Sequence, residues 1–357
     1  MSGFEHALTD RAFCQAALPC VSRTFAVSIR LLPPRLEHPT LVAYLLCRIA
    51  DTIEDAPGLA PAEKRHLLAA WSASLDDAGP PPNAVRAAFA TPGTDEERLA
   101  YGSERVLREF RTLEGKRRTA IRPWVQEMCA GMAEFAGRDR TTDGHGLTEI
   151  GTVSDLDRYT YYVAGTVGHL LTDLFSLQLS GVRPARLTQL KRLATSFGRG
   201  LQLTNIIKDV ADDRRRGWNF VPRQLCEVFG VRPEELQDWQ HRDGARRVML
   251  ALIGKAKGHL TDALAYTTTL PRSQYGIRLF CLSALYFAVR TLRLAERDPR
   301  LLDGEHKVKI GRAEVHRTIL AARLVAPSNS LVRAYFRRLA GREWPLDGAA
   351  LVEVPVG

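Results

Sequence analysis

Two short acidic runs, Asp51-Thr-Ile-Glu-Asp55 and Asp209-Val-Ala-Asp-Asp213, each carry carboxylates four residues apart. On a helix that spacing puts both side chains on one face, one turn from each other. Such a pair suits a hard divalent cation like Mg2+, which takes oxygen ligands at about 2.1 Å in an octahedron. The neighbours extend the pattern. Tyr44, Arg48, Asp51 and Asp55 follow one another at spacings of 4, 3 and 4, and Gln202, Asn205, Asp209 and Asp213 at 3, 4 and 4. Glu54 is near enough to add a ligand, and Arg48, one turn before Asp51, could contact an anion bridging to the metal. One such acidic pair is commonly a solvated face or half of a salt bridge. Two of them, aligned with guanidinium or amide donors, are harder to explain that way. Leu203, Ile206, Ile207 and Val210 make the second run part of a largely buried helix, where acidic groups are costly unless cations compensate them. The chemistry that follows is departure of diphosphate, whose charge must be neutralised as its C–O bond breaks. The allylic cation left behind needs a water-poor apolar tunnel, which a helix bundle can supply.

The elements that position these residues read as helices throughout. Apolar residues recur at spacings of three and four between Pro- and Gly-rich interruptions, and strand signals are nearly absent. The pattern predicts helices over residues 40–55, 61–75, 103–113, 121–135, 186–215, 244–270, 275–297 and 312–325. Ser154, with Asp157 three residues on, reads as the cap of a further helix running to about Leu179. Residues 76–97 and 137–152 read as loops. The expectation is all-α: one domain over residues 1–357, with a catalytic core of about 20–326 and a C-terminal tail over 327–357.

Composition bounds the alternatives. The 357 residues are 45% hydrophobic and 25% charged, with a formal charge of +10. That basic excess fits an anionic partner, whether nucleic acid, a membrane surface or a phosphorylated metabolite, and fits simple solubility equally well. No helix-turn-helix or aromatic-interleaved basic stripe speaks for nucleic acid. The six cysteines are scattered without metal-like spacing. The N-terminus does not read as a signal peptide, and no apolar run is long enough to span a bilayer. A cytoplasmic protein is expected, with peripheral membrane contact left open.

At these residues the sequence resembles the squalene/phytoene synthase family of class I trans-isoprenoid synthases. Ser22-Arg23-Thr24-Phe25 is similar to the family's N-terminal SRSF block, and Tyr44 to Asp55 to its first aspartate motif. Tyr159-Thr-Tyr-Tyr162-Val-Ala-Gly165-Thr-Val-Gly168 looks like its YxxYVAGxVG helix. Gln202 to Asp213 looks like its second aspartate motif, with Pro222 at the expected distance. The resemblance implies a single large helical bundle with a central active-site cavity. It implies Mg2+ bound by Asp51, Glu54, Asp55, Asp209 and Asp213, and diphosphate or cofactor contacts from Ser22, Arg23, Phe25, Tyr44, Arg48, Tyr162, Gln202, Asn205 and Lys208. Tyr159 would sit by the cation and help remove a proton; a tyrosine can hydrogen-bond departing diphosphate, and its ring face can stabilise a nearby cation. Gly165 and Gly168 would permit close helix approach or leave tunnel space.

The C-terminal third bears on the product. Phe280-Cys281 and Lys307-Val-Lys309-Ile-Gly-Arg312 resemble blocks of the squalene synthases, the latter their VKIRK segment, which contacts NADPH phosphates. The implied reaction is head-to-head condensation of two farnesyl diphosphates to presqualene diphosphate, then NADPH-dependent reduction to squalene; a monomer is expected. The alternatives are a phytoene or dehydrosqualene synthase without NADPH, a terpene synthase or other prenyltransferase on the same fold, or a non-catalytic scaffold. Three departures stand out. Lys208 replaces an arginine and loses its bidentate fork. Trp218 stands where a further arginine is common, and Gly311 stands where VKIRK has its arginine.

Overall fold

The computed structural model describes residues 3–136, 148–179, 181–304, 306–342 and 344, with only the backbone of Arg23, Thr148 and Glu149. The chain divides into two compact units, one of residues 1–138 and 166–187, the other of residues 139–165 and 188–357. Both are built from helices. Among the described residues the only strands are the two-residue pair Thr148–Glu149 and Trp218–Asn219.

In the first unit the Gly115–Ala136 helix packs on Pro61–Ser74, Pro34–Asp55 and Thr166–Ser176. The Pro34–Asp55 helix starts earlier than its pattern predicts. Pro34 occupies a first-turn position that needs no N–H donor, and Pro39 is carried inside the helix rather than bounding it. From Pro39 to Asp55 every residue is buried except Tyr44, Arg48, Asp51 and Asp55. A helix buried nearly all round forms core, so one narrow stripe is left open. Trp71, fully buried, donates its indole N–H to the Leu46 carbonyl at 3.2 Å. Lys64 is 4% exposed and its ammonium donates to the Glu54 carbonyl in the last turn, where helix carbonyls lack partners. Trp124 joins Gly115–Ala136 to Thr166–Ser176: its indole N–H donates to Asp173 at 2.9 Å, and its ring stacks on His169 at 4.7 Å.

In the second unit the Arg242–Thr269 and Tyr275–Arg297 helices pair, and Tyr275–Arg297 also packs on Arg312–Val325 and Asn329–Ala340. The last of these lies in the segment read from sequence as a tail. Arg278, fully buried, fastens this end. Its guanidinium donates to the carbonyls of Thr267 (3.0 Å), Leu270 (2.9 Å) and Ala326 (2.8 Å) and to the Asn329 side chain (2.7 Å). One cation thus satisfies carbonyls at two helix C-termini, which makes its burial tolerable. Residues 137–147 and 345–357 lie outside the described residues.

Candidate active site

The first acidic stripe is the open face of the Pro34–Asp55 helix. Tyr44 begins it, stacked on Phe25 with ring centroids 5.4 Å apart. Ser22 caps the short Arg23–Ile29 helix by accepting from the Phe25 N–H at 3.4 Å, and it also hydrogen-bonds Tyr44, whose hydroxyl is pushed up by burial. Ser22 and Phe25 therefore fix Tyr44; the Arg23 side chain lies outside the described residues. Next along the stripe, Arg48 lies 3.6 Å from Asp51 and 3.2 Å from Glu96. Glu96 sits in the first turn of the Asp95–Tyr101 helix, whose capping box joins Thr94 and Glu97. Sequence reasoning missed Glu96, because nothing local links it to Arg48.

Asp51 keeps 31% of its side-chain surface yet is closely surrounded by protein. Burial is the largest influence on its carboxyl and raises it to about 7, opposed by Arg48 and reinforced by Asp55. Two carboxylates one turn apart on an open stripe, with the Asp51 carboxyl raised by burial, are a donor set that fits a hard cation. Glu54 is 3% exposed and falls outside the open stripe.

The second motif lies on the Pro184–Arg215 helix. Leu203, Ile206, Ile207 and Val210 are buried as the pattern required, while Asn205 is exposed and Gln202, Lys208 and Asp209 are half-buried. Each acid of this run has a cationic neighbour. Lys208 pairs with Asp209, Arg215 with Asp212 and Arg216 with Asp213, the last 7% exposed. A longer-range contact joins them: Lys307 Nζ lies 2.5 Å from Asp212. Val308 is buried and pins this basic segment, while Lys309 and Arg312 are exposed beside it. The structure thus brings Lys307, at the start of the basic segment, to the second acidic motif.

Tyr159 stands at the end of the Val153–Thr160 helix, 4% exposed. The helix is capped by Thr152 with Asp155, not by Ser154 with Asp157: the extended backbone of Thr152 lets its hydroxyl accept from the Asp155 N–H at 3.0 Å. Asp157 is instead held by Lys255 at 2.8 Å. The Tyr159 ring stacks on Phe220 at 5.0 Å, and Phe220 on Trp218 at 5.5 Å. Trp218 therefore replaces a charge with an aromatic stack. The short strand pair aligns Thr148 with Trp218, and Arg223 N–H donates to the Ile150 carbonyl at 3.0 Å, so the lead-in to Tyr159 and the Phe220 segment are held together by backbone.

After Tyr159 the chain makes a π turn over Tyr161–Gly165. A π turn inserts one extra residue and recurs at functional sites. Tyr162 is half-buried in it, its ring 5.5 Å from Tyr161. Gly198 packs against this turn so closely that a Cβ would lie 2.0 Å from the Ala164 carbonyl oxygen, and one on Gly165 would lie 2.9 Å from Tyr161. For Gly165 the close-approach reading holds.

These blocks coincide with a family pattern. Residues 18–314 match the family model described as Squalene/phytoene synthase. The chain belongs to the squalene/phytoene synthase family. Relatives include the squalene synthase of Cyberlindnera jadinii, 29% identical over 94% of this chain and 72% of its own length, and that of Mus musculus, 30% identical over 84% and 67%. The Botryococcus squalene synthase of Botryococcus braunii is 31% identical over 84% of this chain and 61% of its own length. The chain thus spans about two thirds of the length of these relatives. Among solved structures, TcSQS with a bound ligand aligns at a TM-score of 0.78 and 26% identity, covering 96% of this chain and 94% of that one. A dehydrosqualene synthase aligns at 0.61 and 19% identity, over 94% and 98%, and shares the fold. The squalene/phytoene synthase fold accounts for the near absence of strands in both units.

Proposed function

We propose that this protein is a squalene synthase, joining two farnesyl diphosphates head to head and reducing the cyclopropyl intermediate with NADPH. The observation that carries the reading is the open stripe of Tyr44, Arg48, Asp51 and Asp55 along residues 39–55, a helical stretch otherwise buried. Asp51 and Asp55 on that helix, and Asp209 and Asp213 on the other, would hold Mg2+, which when bound supplies charge to neutralise departing diphosphate. Arg48 adds a fixed cation beside Asp51, and Gln202 and Asn205 offer amide donors beside Asp209. Ser22 and Phe25 act by holding Tyr44. Tyr159, inside a stack of aromatic rings, presents a π face to cationic carbon and a hydroxyl that can accept or relay the proton. Burial of the surrounding helices keeps water from that cation.

The reductive step rests on Lys307, Lys309 and Arg312. The contact of Lys307 with Asp212 supports a cofactor phosphate beside the diphosphate region, with Lys208 near by. Gly311 and Trp218 favour a second reading, release of dehydrosqualene or phytoene by proton loss without NADPH. One assay separates the two. Purified protein is incubated with farnesyl diphosphate and Mg2+, with and without NADPH, and the hydrocarbons are identified. Squalene formed only with NADPH is the expected result; dehydrosqualene regardless of NADPH overturns the reading. Asp51→Ala and Asp209→Ala are expected to abolish diphosphate release while circular dichroism stays unchanged. Full activity in either variant removes the metal assignment.

A further inference from the structure

The formal charge of +10 is unevenly spread. The Arg312–Val325 and Asn329–Ala340 helices carry six arginines and one acid, Glu314, or +5 between them. Glu314 is taken by Arg290 of the neighbouring helix. Arg312, Arg317, Arg323, Arg333, Arg337 and Arg338 are all exposed, and none pairs with a carboxylate among the described residues. Some arginines elsewhere are paired, as Arg86 is with Glu104, Arg98 with Asp95 and Arg105 with Asp10. Six positive charges thus stand unneutralised on one helical hairpin.

The same hairpin exposes leucines. Leu320 is 60% exposed, Leu324 70% and Leu331 53%. Their placement follows from 100° per residue. Thr318, Ile319 and Ala322 define the buried side of the Arg312–Val325 helix. Ala313, Leu320 and Leu324 fall together on the opposite side, with His316, Arg317 and Arg323 flanking them. The centre of this outer face thus holds Leu320 and Leu324, with Arg317 directly beside Leu324 and Arg323 towards the edge. The hairpin is held in place by Arg278, which bonds Ala326 and Asn329 across its turn. The leucines are therefore presented by a packed scaffold.

We propose that the outer face of this hairpin docks the protein on an anionic lipid bilayer. A central apolar strip with basic edges is the arrangement of helices that lie in the membrane interface, where apolar residues enter the acyl boundary and arginines meet lipid phosphate. Charge complementarity selects the occupant: unpaired arginines repel a second copy of the same face, and nucleic acid has no use for centrally exposed leucines. No helix among the described residues is long and apolar enough to cross a membrane, so the contact is peripheral. Apart from Arg312, which the proposed function assigns to a cofactor phosphate, the docking face shares no residue with the reaction assigned above.

Vesicle co-sedimentation tests it, using the full chain with phosphatidylcholine vesicles and with vesicles containing phosphatidylglycerol. The bound fraction should rise with anionic lipid and fall steeply with added salt. Leu320→Ser/Leu324→Ser and Arg317→Glu/Arg323→Glu should each lower partitioning to anionic vesicles at least about tenfold. Their melting temperatures, and their activity in detergent, should match the parent protein. Equal binding to neutral and anionic vesicles overturns the proposal, as does undiminished binding by the leucine variant. So does a dimer dissolved by Leu324→Ser, or RNA binding, without vesicle binding. Loss of hydrocarbon synthesis in detergent by the parent protein would count against the proposed reaction and leave this surface untouched.

Discussion

Lys307 reaches from the basic segment before the Arg312–Val325 helix to Asp212, bringing its ammonium within 2.5 Å of the carboxylate. The contact joins two stretches of sequence that carry separate parts of the proposed reaction, diphosphate ionisation and hydride delivery. Lys307 remains 47% exposed, so the pair contributes little stability, about 0–1 kcal/mol. Its interest is positional.

Lys307→Ala should therefore leave the melting temperature almost unchanged while raising KM for NADPH about tenfold, the effect of one charge-assisted contact. Presqualene diphosphate should accumulate relative to squalene, because the first condensation does not use this residue. Product analysis at limiting and saturating NADPH checks this; an unchanged KM removes Lys307 from the cofactor site.

Phe220 and Tyr159 form a pair whose members can be separated by mutation. Tyr159→Phe keeps the stacked ring and removes the hydroxyl, and should lower kcat with little effect on KM. Phe220→Leu keeps the hydroxyl and removes a ring contact worth about 0.5–1.5 kcal/mol. It should lower both kcat and melting temperature. Steady-state kinetics with thermal melts distinguish the two, and an unaltered kcat in Tyr159→Phe assigns that hydroxyl to packing.

Gly198 lies against the π turn that follows Tyr159. A methyl group there meets the Ala164 carbonyl oxygen at 2.0 Å, and backbone must move to admit it. Gly198→Ala should cost about 1–3 kcal/mol, read from urea denaturation, and should reduce turnover because the displaced turn carries Tyr159 with it. Wild-type stability in this variant contradicts the packing.

His259 provides a pH dependence. Ser196 donates its hydroxyl hydrogen to Asp262 at 2.6 Å and lies 2.7 Å from His259 Nδ1. Since the serine hydrogen is committed, Nδ1 carries the hydrogen of a neutral imidazole. Burial, then Lys255 and Arg199, pushes this histidine down to about 4. A depressed folded-state value means the unfolded chain takes up the proton first. The stabilising contribution is therefore intact above pH 6.5 and is lost progressively as pH falls towards 4. Denaturation midpoints of the parent protein should fall more steeply over that window than those of His259→Gln; parallel curves contradict the assignment.

How far these features were legible in the sequence depends on how local their causes are. The helices Tyr275–Arg297 and Arg312–Val325 end where their periodicity ends, because an apolar stripe is written in consecutive residues. The Pro34–Asp55 helix exceeds its prediction, because proline near the first turn is tolerated when the following residues are buried. Thr152 rather than Ser154 caps its helix, because both begin the same side-chain pattern and only backbone conformation separates them.

By itself, the sequence determined the helical class, the spacing of both acidic runs and the alignment of Tyr44, Arg48, Asp51 and Asp55. All three follow from residue type and a period of 3.6. Only the tertiary structure decided that those four residues are the open positions of an otherwise buried stretch, residues 39–55. It also decided that Arg48 is shared with Glu96, that Phe220 covers Tyr159, and that Lys307 meets Asp212. Each of these joins residues far apart along the chain. Such contacts are set by how packed helices exclude water and satisfy one another's polar groups, which no local pattern encodes.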